Sequence, residues 1–253
     1  MQLHLDQMSW EGFRRSAAQK RVVILPVGSL EQHGPHLPLG TDTIIATAIA
    51  ERAAKRTGSI VAPPISYGFK PQPGSSGGNT FPGTCSLDGW TLTLLVRDLV
   101  RELVRHKVRG ILILDGHYEN SLFLNEGVDL ALRDMPKGNR VKVVIVRWFE
   151  LIPNTVFVKL FGSSFQGMAL EHASKVETSM VMALNPKIVQ KGKMRNDAPR
   201  RRENYTVLPE NRDFIPRTGV LSTVFPSSET IGEQLLDYAV GRVALIVRSE
   251  FAE

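Results

Sequence analysis

The stretch Leu25–Ile45, LPVGSLEQHGPHLPLGTDTII, decides the reading of this chain. An apolar strand over Val22–Val27 runs into it and breaks at Gly28. Glu31, His33, His36 and Asp42 then follow before a helical pattern begins, so four potential metal ligands fall within twelve positions. Gly34, Pro35 and Pro38 disfavour both helix and regular strand between them, which places the ligands on a loop. Zinc and manganese accept imidazole nitrogen and carboxylate oxygen at the short distances such a loop can hold. A lone histidine in a polar loop is ordinarily a hydrogen-bonded one. The density of donor types is what points to a metal.

Outward from this stretch the pattern alternates. Residues 1–21 read as a short helix from His4 or Met8 to Gln19. Thr41 or Asp42 is placed to cap a helix, IIATAIAERAAKR, that ends at Gly58. The run SIVAPPISYGF begins as a strand and is stopped by Pro63 and Pro64. KPQPGSSGGNTFPGTCSLDG then forms a long Gly/Pro/Ser-rich loop, of the length that functional loops have. Trp90–His106 is amphipathic and helical, with His106 in its last turn. GILIL, Gly110–Leu114, is a continuous apolar run of the kind found in a parallel strand buried on both faces. It ends in Asp115-Gly116-His117-Tyr118-Glu119-Asn120, before a helix from Ser121 to Arg133. Val141–Trp148 is a strand, and a helix over Glu150–Phe161 is expected despite Pro153. Val176–Leu184 is a helix closed by Asn185-Pro186, and Glu229–Phe251 is a helical tail. This alternation predicts an α/β single domain over residues 1–253, with a mainly parallel central sheet flanked by helices.

Composition narrows the class. At 253 residues, 42% hydrophobic and 22% charged, the chain suits one soluble globular domain. No run approaches the roughly 20 apolar residues of a membrane span, and the N-terminus lacks a signal pattern, so a cytoplasmic protein is expected. The single cysteine, Cys85, excludes an internal disulfide and reads as a small buried side chain. The formal net charge of +6 raises the question of nucleic acid. Nearly all the excess is local: Lys191, Lys193, Arg195, Arg200, Arg201 and Arg202 stand against Asp197 alone. Without interleaved aromatics that segment reads as a solvated loop or an oligomer contact, and no nucleic-acid partner is expected.

Two pairs, Glu-x-His at Glu31/His33 and His-x-Glu at His117/Glu119, each follow an apolar strand, and open parallel sheets gather ligands at that edge. With Asp42 they amount to two histidines and three carboxylates, enough for two divalent ions sharing a carboxylate. Such a pair activates water and polarises a carbonyl. His172, by a polar turn ahead of a helix, could supply a proton to the leaving group.

The segments EQHGPHLPLGTD, YGFKPQPGSSGGNTFPGTCSLDG, DGHYEN and EHASKVETS resemble those of the creatininase family, the creatinine amidohydrolases, in the same order along nearly the whole chain. The resemblance implies zinc or manganese, with Glu31, Asp42 and His117 on one ion and His33, Asp42 and Glu119 on the other. It further implies His172 as the catalytic histidine, Glu119 as ligand and proton acceptor, Ser75 and Tyr118 as substrate contacts, and Glu177 supporting the site from behind the ligands. It also implies a homohexamer and a small-molecule substrate. Where creatininase has a tryptophan and then an aspartate before the EH pair, this chain has Met168 and Ala169, and Phe149 stands at another pocket tryptophan. A cyclic amide other than creatinine is therefore the expected substrate. Ring opening of a sugar-derived cyclic ketone is the alternative, and a basic nucleic-acid- or partner-binding protein the reading from another class.

Overall fold

The computed structural model describes residues 2–136, 138–198, 201 and 205–252. Helix α1 (Trp10–Ala18) starts later than the sequence suggests, because Ser9 accepts the Gly12 N–H at 3.2 Å and sets its first turn. Strand β1 (Val23–Val27) leads through the ligand loop to α2 (Thr41–Thr57), then to β2 (Ile60–Val61). Gly40 rather than Thr41 or Asp42 stands at the N-cap of α2, so Asp42 lies within the first turn. That helix stops where Gly58 turns left-handed at φ 75°, which a glycine adopts without a side-chain clash.

A single turn, α3 (Pro73–Ser76), interrupts the long loop before α4 (Gly89–Arg105), β3 (Gly110–Asp115), α5 (Ser121–Arg133) and β4 (Lys142–Arg147). Pro153 does not sit inside a helix; it is the N-cap of α6 (Asn154–Phe161), where its missing N–H costs nothing. Helices α7 (Lys175–Leu184) and α8 (Glu229–Glu250) follow, with short 3₁₀ turns among the described residues between them.

Among the described residues the four strands form one wholly parallel sheet, in the order β2-β1-β3-β4. Alternation along the strands divides the core into two layers. Ile24, Leu112 and Leu114 face buried residues of α2, α7 and α8, such as Ile45, Ile49, Met180, Leu236 and Val240. Val23, Leu25, Val27, Ile111 and Ile113 face Leu92, Val96 and Val100 of α4 and Leu124 and Val128 of α5. Helices thus cover both faces, as an all-parallel sheet requires. Each fully buried aliphatic side chain contributes roughly 1.5–3 kcal/mol relative to exposure. Cys85, expected inside, is exposed; its segment crosses the surface and its N–H bonds to the Leu30 carbonyl. Among the described residues no helix is long and apolar enough to cross a membrane.

The register places the site. Val27 pairs with Asp115, so β1 and β3 end level and release the loops bearing Glu31/His33 and His117/Glu119 side by side. Gly28 permits the closeness: a β-carbon there would lie 2.4–2.7 Å from Thr43 atoms at the start of α2.

Candidate metal centre

The ligand loop closes on itself, the Glu31 N–H donating to the Leu39 carbonyl at 3.0 Å and the Thr41 N–H to the Pro38 carbonyl at 3.2 Å. That closure turns Glu31, His33 and Asp42 inward, and all three are buried. His117 comes to them from the end of β3, and His172 from the turn before α7, directly ahead of Ala173 at φ 53°. His36 does not join. It lies buried with Nε2 2.9 Å from Thr178 Oγ1, and burial lowers its pKa to about 4, so it is a neutral core histidine.

Backbone carbonyls set the tautomers of the other three imidazoles; His172 Nε2 also lies 2.8 Å from Gln32 Nε2, but the two hydrogens of that amide go to the Ser76 and Gly219 carbonyls. A carbonyl has no proton to give, so each ring nitrogen bonded to one must carry the hydrogen. His33 donates from Nδ1 to the Glu31 carbonyl at 3.2 Å, His117 from Nε2 to the Phe69 carbonyl at 2.9 Å, and His172 from Nε2 to the Gln32 carbonyl at 2.8 Å. The opposite nitrogen of each ring faces carboxylates. His33 Nε2 lies 3.1 Å from Asp42 Oδ1 and 3.8 Å from Glu177 Oε2; His117 Nδ1 lies 3.0 Å from Glu31 Oε1 and 3.2 Å from Asp42 Oδ2; His172 Nδ1 lies 3.8 Å from Glu31 Oε1. Asp42 therefore turns one oxygen to each of two histidines.

Burial opposes charge on all these groups, and their neighbours decide the outcome. Burial disfavours the His33 cation, but Asp42 and Glu177 override it and hold the imidazole well above its ordinary value. His117 is raised likewise by Glu31 and Glu119. Burial lifts Glu31, whereas for Asp42 the two histidines outweigh burial and take it below the carboxylate range. His172, buried and beside His33, is pushed well below its usual value and stays neutral.

These residues fit a divalent cation. Glu31 Oε2, His33 Nε2 and Asp42 Oδ2 are buried without a hydrogen-bond partner, although nitrogen and oxygen lone pairs converge there. Among the described residues, three sets have donor atoms mutually within 4.8 Å: Glu31–Asp42–His117, His33–Asp42–Glu177 and Glu31–His33–His172. The carbonyl-bound imidazoles supply the outer hydrogen bonds that metal-ligating histidines ordinarily make.

Sequence-expected residues divide at Glu119. The structure does not bring it to His33 and Asp42. Its Oε1 accepts from Gln72 N at 3.1 Å and from the hydroxyls of Ser75 and Ser76, and its Oε2 lies 3.3 Å from His117 Nε2, the nitrogen turned away from Asp42. Glu177, expected behind the ligands, comes within reach of His33 and is fixed by the Ala173 N–H at 2.6 Å. A small cleft over the centre is lined by Ser75, Tyr118, Trp148, Phe149, Met168 and His172, among others. Tyr118 stacks on Phe149 with centroids 5.9 Å apart. Ala169 is exposed and not in that lining.

Two residues went unnoticed in the sequence. Gln32 ties the site together: its amide donates to the Ser76 and Gly219 carbonyls, each at 3.0 Å, and accepts the Gly34 N–H at 2.9 Å. Glu171 lines the cleft with Oε1 unpartnered, and burial raises its pKa to about 8. Its position in the EH pair was the available signal.

A model of the creatinine amidohydrolase family, Creatininase, matches residues 6–247. This chain belongs to the creatininase family. A creatinine amidohydrolase of Pseudomonas putida is 39% identical over 251 residues, 98% of this chain and 96% of that one. A manganese form of creatininase superposes with a TM-score of 0.95 at 37% identity, and a Zn–Zn form of a creatininase mutant with 0.96 at 38%, each over 100% of both chains. The fold described above is thus that of creatininases, and manganese and zinc, the metals of those two solved forms, are ones this donor set suits.

Proposed function

We propose that this chain is a two-metal hydrolase that opens a carbon–nitrogen bond of a small cyclic amide, with residues 1–253 acting as one domain. The observation that carries this reading is Asp42, which directs separate oxygens at His33 Nε2 and His117 Nδ1. Glu31, Asp42 and His117 would hold one ion. His33 and Asp42 would hold the second, joined by Glu177; the family resemblance puts Glu119 in that place, but Glu119 is engaged by Ser75 and Ser76. Bound there, zinc or manganese ions would lower the pKa of water and polarise a carbonyl oxygen.

The chain's own groups do the rest. His172, held neutral with Nε2–H on the Gln32 carbonyl, turns its unprotonated Nδ1 to the reacting side, where it takes up a proton released by the attacking water and passes it to the leaving nitrogen. Glu119, oriented by Ser75 and Ser76, accepts a proton from the attacking water. Tyr118 and Phe149 offer an aromatic face and Met168 an apolar wall to a flat ring. A cytoplasmic homohexamer acting on a small molecule, with the basic run as a solvated loop, accords with the family. Lys191, Lys193 and Arg195 of that run are exposed, while Pro199, Arg200 and Arg202 lie outside the described residues.

The test is a panel of cyclic amides and sugar-derived cyclic ketones, incubated with zinc- or manganese-loaded protein and followed by mass spectrometry for ring-opened product. Hydrolysis of an amide is expected. Opening of ketones alone would replace the carbon–nitrogen reading.

A further inference from the structure

His117 offers Nδ1 to a cation only while its proton stays on Nε2. The competing tautomer has much in its favour. A proton on Nδ1 would face Glu31 Oε1 at 3.0 Å and Asp42 Oδ2 at 3.2 Å, two good acceptors, and would close that nitrogen to an ion. Two acceptors oppose this: the Phe69 carbonyl, 2.9 Å from Nε2, is the nearer, and Glu119 Oε2 lies at 3.3 Å. The position of the carbonyl therefore matters, and it lies outside the four-stranded sheet, in a loop that an isolated bridge between Phe69 and Leu87 also anchors.

We propose that Asn120 is a positioning residue for the metal centre, holding Phe69 by its N–H so that the carbonyl of the same residue, on the next peptide plane, keeps the proton of His117 on Nε2. Asn120 is fully buried and uses its whole amide. Oδ1 accepts the Phe69 N–H at 2.8 Å, and Nδ2 donates to the Gly28 carbonyl and to Asp115 Oδ1, each at 3.1 Å. The orientation is unambiguous, since a donor faces the oxygen and two acceptors face the nitrogen. One side chain thereby ties together the loops that follow β1, β2 and β3. Asp115 Oδ1 also accepts the His117 N–H at 3.1 Å, so the same cluster grips the histidine's backbone.

Gly68 gives independent support. A β-carbon there would lie 2.7 Å from both Asn120 Oδ1 and the Gly28 carbonyl oxygen, so the chain before Phe69 approaches Asn120 as closely as a residue can. A glycine is needed for the amide to reach the Phe69 N–H.

This inference rests on the two-metal reading, and its test separates the two. Zinc affinity is measured by chelator competition on the full chain carrying Asn120→Ala, Gly68→Ala, both together, or Leu124→Ala. Leu124 is a fully buried core residue of α5 outside the cluster, and its truncation supplies a destabilised control. Asn120→Ala should weaken zinc binding by about 10- to 100-fold, the range for groups that orient a ligand. Gly68→Ala should do likewise, and the double variant should be little worse than the poorer single one, because both act through one carbonyl. Leu124→Ala should bind within about twofold of the unmodified protein however much its Tm falls. Unchanged affinity in Asn120→Ala would overturn the assignment, as would an equal loss in Leu124→Ala or full additivity in the double variant. Failure of the unmodified chain to bind zinc would overturn the two-metal reading together with it.

Discussion

Replacing His172 by alanine should slow turnover of the true substrate by about 10²- to 10⁴-fold, the range for a positioned acid–base group. At about 1.36 kcal/mol per tenfold, that is a loss of about 2.7–5.4 kcal/mol of transition-state stabilisation. The structure argues for the full effect, because no other imidazole can stand in. His33 Nε2 and His117 Nδ1 face Asp42 at 3.1 and 3.2 Å, and His36 lies apart against Thr178. The fold should survive, since Gln32 keeps its bonds to Ser76, Gly219 and Gly34, and one lost hydrogen bond costs about 1 kcal/mol. The assay is kcat/KM on the ring-opening reaction, with metal content and Tm measured on the same preparation. Unchanged turnover would remove His172 from the mechanism. Loss of metal would instead make it a ligand, completing the Glu31–His33–His172 set.

Because Asp42 belongs to two of the donor sets, Asp42→Ala should lower bound metal more than His33→Ala, as measured by elemental analysis; equal and near-full occupancy in both variants would contradict its sharing. Creatinine should be a poor substrate. Met168 offers no aromatic cover, worth about 0.5–1.5 kcal/mol, and Ala169 no charge-assisted hydrogen bond, worth about 1.5–3 kcal/mol, so specificity should fall by roughly one to three decades. Steady-state kinetics should show a gain for the double variant Met168→Trp/Ala169→Asp. Efficient creatinine hydrolysis by the unmodified protein would refute this. Glu171 should couple stability to pH. Its folded pKa of about 8 exceeds the ordinary value near 4.3, so between these the native state binds the extra proton and its contribution to stability declines as pH rises. Urea unfolding of Glu171→Gln should show a shallower decline from pH 5 to 8 than the unmodified protein, and parallel profiles would exclude Glu171.

What the sequence disclosed was what neighbours along the chain determine. GILIL read as a buried parallel strand, and Val22–Val27 as an apolar strand, because a strand covered on both faces needs no polar alternation, and both strands are buried throughout. The level ending of β1 and β3 then brought Glu31, His33, Asp42 and His117 together as the spacing implied. Glu119 shows where spacing stops informing. Two residues beyond His117, it falls on a 3₁₀ turn that aims it at Ser75 and Ser76, about 44 positions earlier in the chain. Gln32 and Asn120 were silent for the same reason: Gln32 meets the Gly219 and Ser76 carbonyls, and Asn120 the Gly28 carbonyl and the Phe69 N–H, backbone groups far off in sequence that any residue would offer. Pro153 looked like an interruption because a proline at a helix start and one in a helix interior are written alike.

The most direct test of the two-metal account is the number of ions per chain in active protein, counted by inductively coupled plasma mass spectrometry after removal of loosely bound metal. The account predicts two equivalents of zinc or manganese, with hydrolysis lost on chelation and regained as the second equivalent is restored. Full activity at one equivalent or at none would contradict it.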